Sequence, residues 1–267
     1  NILAITFTNK AAEELQHRLA SLLGGEVGGD VNASTFHSAC VRILRREADK
    51  LGFPTSFTIY DADDQQRVLK EIYKELNIDD KFLAVRACAS AIGRLKDKMI
   101  SPKEATEAPT DTRAQIVAQV YMAYAKRCRA AGAMDFDDLI YYTVRLLREF
   151  DEVRGYYQSR FRYILVDEYQ DTGVAQFQLV NLLCDENANI CVVGDDDQSI
   201  YRFRGATIEN ILSFEQRFAG AKVIRLEQNY RSTSNILDAA NCVIKNNEGR
   251  KGKTLWTDNG NGELVQH

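Results

Sequence analysis

Residues 164–172 read Ile-Leu-Val-Asp-Glu-Tyr-Gln-Asp-Thr, three apolar residues running straight into the adjacent carboxylates Asp167 and Glu168. A short apolar run ending in acids reads as a buried parallel strand that delivers charge to its carboxyl-end tip. Open α/β sheets bind ligands at that tip. An Asp there can hold Mg²⁺ on a nucleotide, and the adjacent Glu can orient or deprotonate a water. The plainer reading is a strand end with solvated acids. The continuation Gln170-Asp171-Thr172 and the motifs downstream weigh against it.

Working outward, Ile2–Thr6 and residues 163–167, 190–195 and 223–226 read as core strands, each short, rich in Ile, Val or Leu and bounded by polar or Gly residues. Helical patterns fall between them. Residues 10–23 keep Ala11, Leu15, Leu19 and Leu22 on one face, and 174–184 keep Phe177, Val180 and Leu183 or Cys184 together. This alternation predicts an α/β fold with a parallel sheet. Residues 60–132 carry no strand pattern. Asp61 is placed to cap a helix with Val68, Leu69, Ile72, Tyr73 and Leu76 on one stripe. A second helix is expected over 82–96, and Pro102 and Pro109 punctuate the next connection. A third helix, over 111–130, turns Ile116, Val117, Val120, Tyr121 and Tyr124 inward. The stretch reads as an all-helical insertion. The α/β pattern resumes with a helix over 137–150, and a last helix covers 233–246. Residues 24–29 read as a flexible connector, and the tail with Gly249, Gly252, Gly260 and Gly262 as the beginning of another domain.

The chain has 267 residues, enough for one large or two modest domains, and 45% hydrophobic with 27% charged content excludes a disordered chain. No apolar run approaches the ~20 residues of a membrane span. No secretory leader is expected. The first residue is Asn1 and a strand pattern follows at once, so a piece of a longer protein is expected. The six cysteines (Cys40, Cys88, Cys128, Cys184, Cys191 and Cys242) include no C-x-x-C pair, and most lie in apolar periodic segments. Reduced, buried thiols in the cytoplasm are expected, with no metal site. The net charge of −4 counts against a nucleic-acid binder but does not exclude one, because a local groove with stacking aromatics can hold a single strand.

Five further motifs carry candidate chemistry. Residues 193–206 read Val-Gly-Asp-Asp-Asp-Gln-Ser-Ile-Tyr-Arg-Phe-Arg-Gly-Ala. The Gln198 amide can donate to a phosphate oxygen and accept from a water. Tyr201 and Phe203, interleaved with Arg202 and Arg204, suit base stacking and phosphate contact, or a turn with two core aromatics. In Leu226-Glu227-Gln228-Asn229-Tyr230-Arg231-Ser232, Arg231 could reach a γ-phosphate and Tyr230 could stack on adenine. In Ala4-Ile5-Thr6-Phe7-Thr8-Asn9-Lys10 a strand runs into a helix whose N-terminus suits a phosphate of a DNA backbone, and Phe7 is either a tip residue or core. In Ala33-Ser34-Thr35-Phe36-His37-Ser38 three hydroxyls and an imidazole surround one aromatic and could contact phosphate and sugar; no acid partner or Gly-x-Ser-x-Gly elbow supports a Ser–His nucleophile. In Met134-Asp135-Phe136-Asp137-Asp138, Asp135 or Asp137 is a natural helix cap.

The strings TFTNKAAEEL, STFHS, MDFDDLI, VDEYQDT, GDDDQSIYRFRGA and LEQNYRST resemble, in order and spacing, the motifs of superfamily I DNA helicases of the UvrD/Rep/PcrA type, PcrA-like members above all. The resemblance covers essentially the whole chain. It implies a RecA-like P-loop NTPase motor that uses ATP and Mg²⁺, moves 3′ to 5′ on single-stranded DNA and separates duplex at junctions. It implies that Asp167 coordinates Mg²⁺, Glu168 activates water, Gln198 senses the γ-phosphate, Arg231 stabilises the transferring phosphoryl group and Tyr230 stacks on adenine. Phe7, Phe36, Phe136, Tyr201 and Phe203 would line the strand, helped by Asn9, Thr35, His37 and Arg204. Residues 1–58 and 132–222 would form the first motor domain, 59–131 its helical insertion, and 223–267 the start of a second RecA-like domain.

Two departures stand out. The family commonly has Trp where Phe203 stands. No G-x-x-x-x-G-K-[ST] occurs in the chain; the family places that loop before the position of Asn1. The chain alone is therefore expected neither to hydrolyse ATP nor to unwind DNA. The strand that the family sets beside 190–195 would be missing too, leaving a sheet edge open to self-association. Two other readings remain open: the motor of a helicase–nuclease subunit, with a nuclease beyond His267, and a non-catalytic DNA-binding or interaction module that kept the fold.

Overall fold

The computed structural model describes residues 1–24, 31–186, 189–200, 205–218, 220–247 and 252–266. These divide into two compact units, one of residues 1–168 and 172–193, the other of residues 169–171 and 194–267.

The first unit is built on a four-stranded parallel sheet in the order β2-β1-β5-β6: β1 (Ile2–Thr6), β2 (Asn32–Thr35), β5 (Tyr163–Val166) and β6 (Asn189–Val192). Register pairs Ala4 with Leu165 and Val166 with Val192. Side chains alternate across the pleat. Ile164 and Val166 are therefore buried, while Tyr163 and Leu165 are 50% and 42% exposed. Helix α1 (Asn9–Leu23) starts at a Thr8 cap, and α2 (Phe36–Glu47) at a Thr35 cap. Helix α7 (Phe136–Glu149) is buried along most of its length and buries Leu139, Ile140, Val144, Leu146 and Leu147. It packs against α2, against α8 (Asp151–Arg160) and against α9 (Val174–Leu183).

The stretch expected to be a helical insertion folds as four helices around a core of its own. It comprises α3 (Ala62–Glu75), α4 (Val85–Asp97), α5 (Pro102–Glu107) and α6 (Thr112–Ala130). Leu69, Ile72, Tyr73, Cys88, Ile92, Val117, Val120, Tyr121 and Tyr124 fill the space between them. Asp61 caps α3 in a full capping box with Asp64, and Asp111 caps α6.

The structure corrects several expectations. Strands β3 (Thr58–Tyr60) and β4 (Ala133–Asp135) pair in parallel at the two ends of the insertion; three-residue strands show no period. β2 and α2 were likewise not legible. Residues 223–226 form no strand. Val223, Ile224 and Leu226 are 48%, 69% and 75% exposed, and no ladder partner lies beside them among the described residues. Strands β5 and β6 stop at Val166 and Val192, short of the acids. Leu22 and Leu76 are exposed, and so are Cys191 and Cys242, against the expectation of buried thiols.

The second unit holds the 3₁₀ turns Tyr169–Asp171 and Asp196–Gln198, two one-turn helices α10 (Glu209–Leu212) and α11 (Phe214–Arg217), and α12 (Ser234–Ile244). Gln228 and Trp256 form an isolated parallel bridge.

Candidate nucleotide and nucleic-acid site

In the first unit Asp167 and Glu168 follow directly on the inner strand β5. The Asp167 N–H donates to the Ile5 carbonyl at 2.9 Å, which continues the ladder one residue past the strand. The chain then turns sharply, because Glu168 adopts φ = +50°. A side-chain-bearing residue in the left-handed region is strained, and such strain concentrates at functional positions. The Glu168 N–H donates to Asp167 Oδ1 at 3.0 Å. Both acids are exposed. Hard carboxylate oxygens at a strand tip are the donor type that Mg²⁺ prefers.

At the ends of β1 and β2 two aromatic pairs form. Phe7 and Phe36 meet edge to face, with centroids 5.5 Å apart, and His37 and Phe136 do the same at 5.9 Å. Phe136 is 52% exposed and Phe7 half-buried. Phe36 is only 1% exposed, so it cannot present a face to a base and instead supports Phe7 from below, a correction to its expected role. Thr35 is also buried, its Oγ1 accepting from the Ser38 N–H at 3.2 Å, so its side chain serves as a cap. Asn9 is exposed in the first turn of α1. Burial pushes the His37 imidazole below its ordinary pKa.

Of the two candidate caps it is Asp135 that caps α7, and it does more. Lys96 Nζ donates to Asp135 Oδ1 and Oδ2 at 2.9 and 2.8 Å and pairs with Asp138 Oδ1 at 2.7 Å. Tyr124 Oη and Gln65 Nε2 each donate to Asp135 Oδ2 at 2.9 Å. Burial opposes charge on all three ions. The Lys96 ammonium nevertheless holds Asp135 below the usual carboxylate range, and the two carboxylates hold Lys96 well above its own. Asp138 is pushed up by burial and by the Asp135 charge.

In the second unit Asp195 is the organising residue. It accepts from Gln198 Nε2 at 2.7 Å and from the Asp197 N–H at 3.0 Å, and it pairs with Lys253. Its own N–H donates to Gln170 Oε1 at 3.0 Å. Burial raises the Asp195 pKa, but the Lys253 and Gln198 bonds outweigh it and hold the carboxyl low. Gln198 is exposed. Arg231 and Tyr230 project from a loop pinned by two asparagines. Asn229 Oδ1 accepts from the Arg231 and Ser232 N–H groups, and Asn259 Nδ2 donates to the Tyr230 and Ser232 carbonyls. The Tyr230 ring is 79% exposed. Tyr201, Phe203 and Arg204 lie outside the described residues.

Sequence reasoning missed Lys96, Lys253 and Asn259. For Lys96 a signal existed: Cys88, Ile92 and Lys96 recur at a spacing of four on the buried stripe of α4, and a lysine in such a stripe implies a buried acid. Lys253, in a Gly-rich tail, carried none.

Residues 1–219 match the UvrD/REP helicase N-terminal domain, and residues 224–267 the UvrD-like helicase C-terminal domain. The chain is 52% identical, over all 267 of its residues, to proteins named ATP-dependent DNA helicase PcrA from Staphylococcus epidermidis and Staphylococcus aureus. It spans about a third of the length of these relatives, 36%. With its N-terminal four-fifths matched to that model and its motif acids at the tip of a parallel strand, the chain belongs to the UvrD/REP helicase family.

Proposed function

We propose that this chain is part of an ATP-dependent DNA helicase that translocates 3′ to 5′ on single-stranded DNA and opens duplex at junctions, in the cytoplasm. The observation that carries this reading is the pair Asp167–Glu168 at the end of the central parallel strand, with Glu168 held in a strained backbone conformation. The names of the relatives point the same way.

Asp167 would hold Mg²⁺, which when bound would neutralise charge on the nucleotide phosphates. Glu168 accepts the proton of the attacking water, Gln198 meets the γ-phosphate, Arg231 stabilises the charge that develops on it, and Tyr230 stacks on the base. Gln198 must leave its bond to Asp195 to do so. Phe7 and Phe136, with Asn9 and His37 beside them, contact the strand; Tyr201, Phe203 and Arg204 complete the track. Residues 1–58 and 132–222 act as the first motor domain, 59–131 as its insertion and 223–267 as the start of the second.

The residues present fit the metal and the hydrolytic water but supply no phosphate cradle, since no G-x-x-x-x-G-K-[ST] occurs. The 267-residue chain by itself hydrolyses no ATP. The test of the reading is unwinding by the full-length protein of duplexes with a 3′ or a 5′ tail. ATP-dependent opening of the 3′-tailed duplex alone supports it; no opening of either, or a preference for the 5′ tail, overturns it.

A further inference from the structure

We propose that Lys96 and Asp97, consecutive at the C-terminal end of α4, tie the strand-contacting end of α7 to the helix that follows the Asp167–Glu168 acids, so that DNA held at Phe136 is felt at the hydrolytic carboxylates. This deepens the helicase reading and rests on it.

Lys96 makes the first half of the tie. It is the only buried lysine or arginine among the described residues, at 2% exposure. Its two partners, Asp135 and Asp138, are the cap and the third residue of α7, and Phe136 lies between them in sequence. The arrangement also matches the helix dipoles, with a cation at the C-terminal end of α4 and acids at the N-terminal end of α7. The approach is close: a Cβ on Gly93, one turn before Lys96, would sit 2.7 Å from Asp137 Oδ2. Phe136 therefore meets His37 from a helix end whose position the insertion sets.

Asp97 makes the second half. Helix α9 begins after Gly173, which has no side chain with which to cap it. The Asp97 carboxylate supplies the cap from α4, accepting from the Val174 and Ala175 N–H groups. Gly173 is required there, since any Cβ would overlap Asp97 Oδ1. Gln176 Oε1 takes the Gly173 N–H at 2.8 Å. The segment from Glu168 to Gly173 is short, so the start of α9 and the end of β5 cannot shift independently. One rigid helix end thus grips both motifs through neighbouring residues.

Such ties are positioning contacts, and what marks them is coupling, which a purely structural role would not move. The test measures ATP turnover of the full-length protein with and without saturating oligo-dT, together with oligo-dT affinity. Asp97→Ala should lower the ratio of stimulated to basal turnover about tenfold, within the usual range of coupling between sites. Its oligo-dT affinity should stay within twofold of wild type. Asp97→Asn, which keeps an acceptor oxygen, should restore the ratio. Leu69→Ala, a truncation in the insertion core away from both helix ends, should lose stability and keep the ratio. Tyr124→Phe removes only a hydroxyl from Asp135 and leaves no charge unpaired, so it stays folded even where Asp97→Ala does not; it should lower the ratio two- to threefold. An unchanged ratio in Tyr124→Phe, or in a folded Asp97→Ala, overturns the proposal. So does a Leu69→Ala variant that loses the ratio as fully as Asp97→Ala. A wild-type protein with no oligo-dT stimulation would instead overturn the helicase reading, and this inference with it.

Discussion

The imidazole of His37 meets the ring of Phe136 edge-on, with centroids 5.9 Å apart and planes at 74°. The two come from different helices, α2 and α7, and each stands in the first turn after a short strand. Phe136→Ala removes an exposed ring, so it should leave stability within about 0.5 kcal/mol. Affinity for oligo-dT should fall by roughly 1–3 kcal/mol, the worth of one stacked base. Fluorescence anisotropy of the full-length variant checks this; unchanged affinity would remove Phe136 from the strand track.

His37 also gives a pH dependence. Burial lowers its folded-state pKa below the ordinary 6.5. The unfolded chain therefore takes up the proton first as pH falls. This group leaves stability untouched above about pH 7 and subtracts from it as pH drops through 6.5 toward the lowered value. NMR titration of the His37 ring should show a midpoint below 6.5, and His37→Gln should flatten that part of the stability profile. A midpoint above 6.5 would mean that a partner acid, not burial, governs the ring.

The Lys96 cluster makes a large stability prediction. Removing one member of a buried ion group leaves uncompensated charge, at a cost of about 3–5 kcal/mol. Lys96→Met should lose that much in urea unfolding, and adding Asp138→Asn should recover part of it. Strictly additive losses from the two changes would contradict the coupling seen in the geometry.

Thiol chemistry separates the cysteines. Burial pushes Cys40, Cys128 and Cys184 up to about 12 and raises Cys88, whereas Cys191 and Cys242 are exposed. Only thiolates react. A disulfide reagent at pH 8 should therefore label Cys191 and Cys242 quickly and the other four only on unfolding; peptide mapping of the labelled sites checks it.

The exposed flank of the sheet predicts association. β6 is an edge strand among the described residues, and Tyr163, Leu165, Cys191 and Val193 are exposed on or near it. Unpaired apolar edges template pairing with another chain. Sedimentation of the 267-residue chain should show a weight-average mass that rises with concentration, and a constant monomer mass would count against it.

The sequence disclosed the parts of this molecule that have a period or a motif. The strand leading to Asp167 and the helices of the insertion were legible because apolar residues recur at spacings that only one backbone geometry can bury. Asp61 and Asp135 were legible as caps, or cap candidates, because acids before apolar stripes have few other uses. β3 and β4 were not, since three residues carry no period and their pairing joins Tyr60 to Asp135 across the whole insertion. Residues 223–226 misled because apolar content alone does not make a strand; a partner must pair with it. In the site, the exposed Phe136 and the buried Phe36 look alike as sequence, and only packing tells a ring that offers its face from one that supports a neighbour. The trans cap from Asp97 to α9 has no sequence signature at all.

The central claim is that Glu168, at the strained tip of β5, takes the proton from the attacking water. It is tested most directly by the DNA-stimulated ATP turnover of the full-length protein beside its Glu168→Gln variant, with nucleotide binding measured in parallel. Turnover should drop by orders of magnitude, roughly the 10²–10⁴-fold worth of general-base catalysis, while nucleotide affinity stays within a few-fold. Equal turnover in the two proteins would contradict the assignment.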